Sequence, residues 1–249
     1  MKLNNYNRWI LSSVAVLALT ACGGSSNNNN DNNNSGGSDD TPAKPTKNSI
    51  IHNGTVYGTV VSPITGRVWL DRNLGADRVC TAYNDAQCFG DYYQWGRGYD
   101  GHQDPHSDTT KTIISDIDNP HHMFVLSIHW YDVTDANDAK LIANWRVTDG
   151  SGVCPAGFYV PTSGDFIHED EAFDGNSDYH LLGYKSFLKL PAAGNRGNKT
   201  GQTGTIPKLT VLWTSNDATS YLMSDKFSPG SSGGFDTANG HPLRCIKVK

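Results

Sequence analysis

Val153-Cys154-Pro155-Ala156-Gly157-Phe158-Tyr159-Val160-Pro161-Thr162 is the stretch on which the reading of the fold turns. Pro155 and Pro161 fix φ and remove two backbone donors, so the segment reads as extended and irregular, with no central helix. Phe158, Tyr159 and Val160 supply a short strand signal. Thr162 stands where a helix N-cap belongs, ahead of Ser163-Gly164-Asp165-Phe166-Ile167 and the acids Glu169, Asp170 and Glu171. The natural partner for Cys154 is Cys245, inside the last strand signal, Leu243-Arg244-Cys245-Ile246-Lys247-Val248. A bond there closes the second half of the domain into one loop.

Cysteine pairing presupposes an oxidising compartment, and the start of the chain points to one. Lys2 and Arg8 precede a short apolar run, residues 9–19, which fits the core of a signal peptide and is too short for a bilayer span. The run ends in Leu19-Thr20-Ala21-Cys22, which resembles the bacterial lipobox. That resemblance implies cleavage before Cys22, lipidation of its sulfur and a durable multi-chain membrane anchor. Gly23 follows where an inner-membrane retention signal would have Asp, so similarity to enterobacterial sorting rules implies the outer membrane, with the domain at the cell surface. Residues 1–21 are therefore expected to be a signal peptide. Residues 22–47, with their Asn-rich run, read as a disordered tether. Its reach is about 25–30 Å.

Residues 48–249 are long enough for one domain with a sizeable core. Removing Lys2 and Arg8 from 20 basic residues leaves 18 against 25 acids, formally −7. This argues against nucleic acid as a partner. With Cys22 set aside, Cys80, Cys88, Cys154 and Cys245 allow three pairings. Cys80–Cys88 and Cys154–Cys245 are expected, one short loop and one long. No paired Cys-x-x-Cys or Cys/His spacing suggests zinc.

Along the domain, residues 55–61, 67–70, 121–130, 210–215, 221–227 and 243–248 read as strands. Helical spacing is present over 135–145, 163–173 and 179–188. The aromatic cluster Phe89, Tyr92, Tyr93 and Trp95 reads as core. Residues 191–199 form a glycine-rich loop without the Gly-Lys-Ser/Thr ending of a phosphate cradle.

Several motifs recur together in one known family. Gly66-Arg67-Val68-Trp69-Leu70-Asp71-Arg72-Asn73-Leu74-Gly75, Tyr92-Tyr93-Gln94-Trp95-Gly96-Arg97, Asp100-Gly101-His102-Gln103, residues 153–162, Trp213-Thr214-Ser215 and Leu243-Arg244-Cys245 resemble the Fibrobacter succinogenes major paralogous domain. That family is common among bacterial surface lipoproteins. The resemblance implies an α+β, C-type-lectin-like fold: short twisted antiparallel strands, two helices, and long loops pinned by disulfides. It implies no particular activity, so function must be argued from the site.

The candidate chemistry is modest. His102 and His106 have metal-like spacing, but the family turn makes His102 a structural hydrogen-bonding residue. The calcium–sugar motifs of true C-type lectins are absent; Asp217, Asp225 and Asp236 still offer calcium oxygen ligands. Asp165, Glu169, Asp170 and Glu171 are explained by a helix N-terminus. No nucleophile elbow is present. Sulfatase-modifying enzymes of related fold need a reactive cysteine, and all four here are assigned. The expectation is therefore a binding protein without catalytic residues or a required cofactor. Its C-terminal loops are rich in Ser, Gly, Asn, Asp and Tyr, the chemistry of paratopes. Trp213, Asn216, Asp217, Ser220, Tyr221, Ser231, Ser232, Phe235, Asp236 and Asn239 are the expected ligand-binding residues, for an extracellular glycan or protein. The same composition suits a variable protein of a diversity-generating retroelement. A structural lipoprotein without specific ligand is the alternative, and an enzyme comes third.

Overall fold

The computed structural model describes residues 49–169, 183–216, 219–224 and 233–249. The expected signal peptide and tether lie outside them, as do Asp170, Glu171, Asp217, Asp225, Ser231 and Ser232. Among the described residues, short strands in small sheets stand beside the α-helices Asp135–Trp145 and Ser163–Ile167 and the 3-10 turn Ala86–Cys88, an α+β domain.

Two four-stranded sheets organise it. In the first, Thr59–Val61, Val68–Leu70, Ile246–Lys247 and Phe158–Tyr159 lie side by side in that order, all antiparallel. The terminal strand thus sits between two strands distant in sequence. Its Ile246 faces Trp69 on one side and Tyr159 on the other. The second sheet orders Thr203–Gly204, Asn195–Arg196, Gly240–His241 and Tyr93–Gln94. A third sheet pairs Leu209–Trp213 with Thr219–Ser224, and that strand with Gly233–Gly234.

Sequence periodicity overestimates strand length. Residues 55–61 are two strands, Thr55–Tyr57 and Thr59–Val61, because Gly58 breaks the run: its carbonyl accepts from Asp71 N, and a Cβ there would lie 2.6 Å from Asp71 Oδ2. Of residues 121–130 only Phe124–Val125 pairs, in parallel with Thr109–Thr110. The helix Asp135–Trp145 is capped by Thr134, and Ser163–Ile167 by Thr162 in a capping box with Asp165. The second helix ends at Ile167, short of the expected 163–173.

Both expected disulfides form, Cys80–Cys88 and Cys154–Cys245. Tryptophan and arginine hold the loops between them. Trp69, Trp95, Trp130, Trp145 and Trp213 are all buried. Each indole N–H has an acceptor: Glu169 Oε1, then the carbonyls of Thr214, Trp95, Arg97 and Tyr93 respectively. Arg97, Arg196 and Arg244 are almost fully buried. Arg196 donates to the carbonyls of Gly201, His102, Asp104 and Ser107 and lies 4.1 Å over the Phe124 ring. Arg244 donates to Leu70 O, Leu188 O and Asn73 Oδ1. A guanidinium carries five donors in a fixed fork, which lets one side chain satisfy several irregular loops that have no ladder of their own.

Candidate functional site

The C-terminal residues expected to meet a ligand are mostly engaged in structure. Trp213, Ser220 and Tyr221, expected to bind a ligand, are buried. Ser220 and Tyr221 are consecutive on one strand and so point to opposite faces, both of them covered. Tyr221 stacks on Phe166 at 4.6 Å, and Trp213 stacks on His241 at 4.1 Å. Phe235 is partly buried and meets both Trp213 and His241 edge-on. Asn216 Oδ1 accepts from Ser163 N and its amide donates to Ser163 Oγ, so it serves the start of the second helix. Asp236 Oδ2 accepts from Asn198 Nδ2, and Asn239 Oδ1 from Asn198 N, bracing one loop against another. Asp217, Ser231 and Ser232 lie outside the described residues.

The titratable clusters are equally committed. Asp100 takes Arg97 on one oxygen and His102 Nδ1 on the other, at 2.5 Å, while His102 Nε2 accepts from Gln94 N. Both ring nitrogens are used, leaving no lone pair for a metal. Burial, with Arg97 nearby, lowers the His102 pKa to about 4. Among the described residues no three His, Cys, Asp or Glu side chains gather as a metal site. Glu169 accepts from Ser62, Thr65 and Trp69, and Asp165 from Thr162 and Arg67. Ser220 Oγ and His241 Nδ1 lie 2.9 Å apart, a pairing with the outline of a nucleophile and its base. Both are buried, and burial lowers His241 to about 3, far below a working base. Its Nε2 has no hydrogen-bond partner.

An open groove lies elsewhere. It occupies about 430 Å³ and is lined by His52, Asn53, Gly98, Tyr99, Asn144, Trp145, Val147 and residues 150–153. A second concavity of about 130 Å³ shares His52, Asn53 and Tyr99 with it and reaches Tyr57, Gly75, Asp91 and Tyr93. Three local structures build this site. The strands Ile50–His52 and Thr55–Tyr57 form a hairpin turned by Asn53-Gly54, with φ of 48° and 79°. Two successive positive φ values are what a two-residue hairpin turn demands, and Asn-Gly meets them at least cost. His52 Nε2 lies 2.8 Å from Val153 O, which fastens the hairpin to the loop before Cys154. The helix Asp135–Trp145 ends at the groove, so Asn144 lines it while Trp145 forms a buried wall. Tyr99 lines both concavities and is 53% exposed.

Asp91 is the unusual group in the smaller chamber. Burial drives its pKa up to about 7; the nearby charges of Asp104 and Asp77 add to this, and the Tyr93 hydroxyl, 3.4 Å away, opposes it. Near neutral pH a substantial share of Asp91 is a carboxylic acid able to donate a hydrogen bond.

Compared with protein-family models, curated proteins and solved structures, the chain matches none. The groove residues escaped sequence reading because they come from four separate segments. One local signal was present: Asn53-Gly54 between Ile50-Ile51-His52 and Thr55-Val56-Tyr57 is a hairpin turn dipeptide.

Proposed function

We propose that this chain is a lipid-anchored bacterial envelope protein, resembling the Fibrobacter succinogenes major paralogous domain and C-type-lectin-like in fold, that binds an extracellular ligand. The observation that carries the binding reading is the groove: a half-exposed tyrosine ring and uncharged donors line a concavity on an otherwise heavily cross-braced domain. We place the ligand in this groove in preference to the C-terminal residues. Variation of the retroelement kind at Trp213, Ser220 or Tyr221 would disturb the core. The structural role of the other C-terminal residues favours the second reading, an envelope protein without a specific ligand.

Gly98 separates the two readings. It lines the groove, its φ is ordinary, and a Cβ there meets nothing within 4 Å. Gly98→Trp therefore fills the groove without backbone strain. Arrays of glycans and envelope proteins, probed with wild type and with this variant at equal melting temperature, should show a hit that the variant loses. A hit unchanged by Gly98→Trp rules out the groove as the site, and no hit on either array favours the structural reading.

A further inference from the structure

We propose that the ligand of the groove is a neutral saccharide, stacked on Tyr99 and hydrogen-bonded by the amides and hydroxyls around it. This rests on the ligand-binding reading above and narrows it. The volume, about 430 Å³, lies within the range of small-molecule sites and suits one or two sugar rings. Among the described residues no Lys, Arg or Glu lines the groove or the adjoining chamber, and Asp91 is the sole acid lining them. An anionic ligand would find no guanidinium or ammonium to pair with. A cationic one would find a single recessed carboxyl, Asp91, whose burial raises its pKa to about 7. Uncharged groups remain: the amides of Asn53 and Asn144, the Tyr99 hydroxyl, the His52 ring, and the Ser151 hydroxyl, whose oxygen can accept while it donates to Asp149. A sugar has the complementary pattern, with hydroxyls at its edge and C–H groups on its face. The face needs an apolar plate, and Tyr99 is the one aromatic side chain among the lining residues that is exposed.

The arrangement also explains the site's order. His52 Nε2 lies 2.8 Å from Val153 O and 3.2 Å from Asn53 Nδ2, so the ring is positioned by both neighbours. Asn53 occupies a turn whose backbone angles are fixed by its own hairpin. Side chains held in place lose little entropy on binding.

The experiment uses the full chain purified in detergent. Calorimetric titration with neutral gluco-, manno-, galacto-, xylo- and N-acetylglucosamine oligosaccharides of two to six units is run beside sialylated and sulfated sugars and a peptide library. At least one neutral series should bind. Tyr99→Ala and Gly98→Trp should each weaken it tenfold or more without moving the melting temperature, while Tyr99→Trp retains it. Binding only to acidic sugars, neutral binding that survives both variants, or no sugar binding at all overturns the proposal. A peptide hit abolished by Gly98→Trp would overturn the saccharide while leaving the ligand-binding function standing. Binding of any kind that ignores both variants would rule out the groove as the site and the saccharide proposal with it.

Discussion

Asp91→Asn should make the domain more stable, and increasingly so as pH rises. The Asp91 carboxyl lies beneath Gly75, at φ +76°, where a Cβ would fall 2.3 Å from Asp91 Cγ. Its side-chain partner is the Tyr93 hydroxyl, and Asp77 and Asp104 face it with like charge. Tyr57 lines the same chamber, with its hydroxyl accepting from Gly75 N, and His52 lies at the rim. A carboxyl whose folded pKa is raised from 3.8 to about 7 holds a proton that the unfolded chain has already released. The stability this confers is full below pH 4, is lost as pH rises to 7, and stays lost above. At about 1.36 kcal/mol per pH unit the difference is about 4 kcal/mol, a ceiling given the chamber's contact with solvent. His102 and His241 pull the other way. Their folded pKa values, about 4 and about 3, lie below 6.5, so both wild type and variant weaken as pH falls below 6.5. Those contributions cancel in the difference between the two proteins. Urea denaturation of both at pH 4, 5.5, 7 and 8.5 should show the variant's advantage growing by roughly 2–4 kcal/mol across the series. An advantage that stays constant with pH would refute the reasoning.

Tyr221→Ala should cost roughly 3–5 kcal/mol, because the ring stacks inside the core on Phe166. Melting by circular dichroism measures it, and an unchanged midpoint would return Tyr221 to the surface. Replacing both Cys154 and Cys245 by Ala removes a link across 91 residues and should cost about 4–5 kcal/mol on the chain-entropy argument; the Cys80 and Cys88 pair, 8 apart, should cost about 2–3. Denaturant midpoints of the two double variants should keep that order. Arg196→Met should cost about 3 kcal/mol or more by orphaning the carbonyls of Gly201, Asp104 and Ser107, and Arg196→Lys should recover little, since an ammonium lacks the fork. Urea unfolding of both variants reads this, with full rescue by Lys the contrary result.

What the sequence determined by itself was local or covalent. Thr162 caps its helix because a short hydroxyl side chain reaches the first free N–H groups, a matter of three residues. Asp135–Trp145 follows from apolar spacing, and the cysteine pairing follows from few candidates and their separation. The tertiary structure decided which polar residues were free to act. Ser220, Asn216, Asp236 and Asn239 have the composition of a binding loop, yet each has a partner supplied by a segment 21 to 53 residues away. Composition cannot report that engagement, because a Ser or Asn reads alike whether it faces water or braces a neighbouring loop. The groove is the converse case. His52, Tyr99, Asn144 and Ser151 carry no shared motif and become neighbours only when the Asn53-Gly54 hairpin docks beside Val153 and the first helix ends there. A site assembled from chain-distant backbone positions is fixed by packing, and packing is a property of the whole fold.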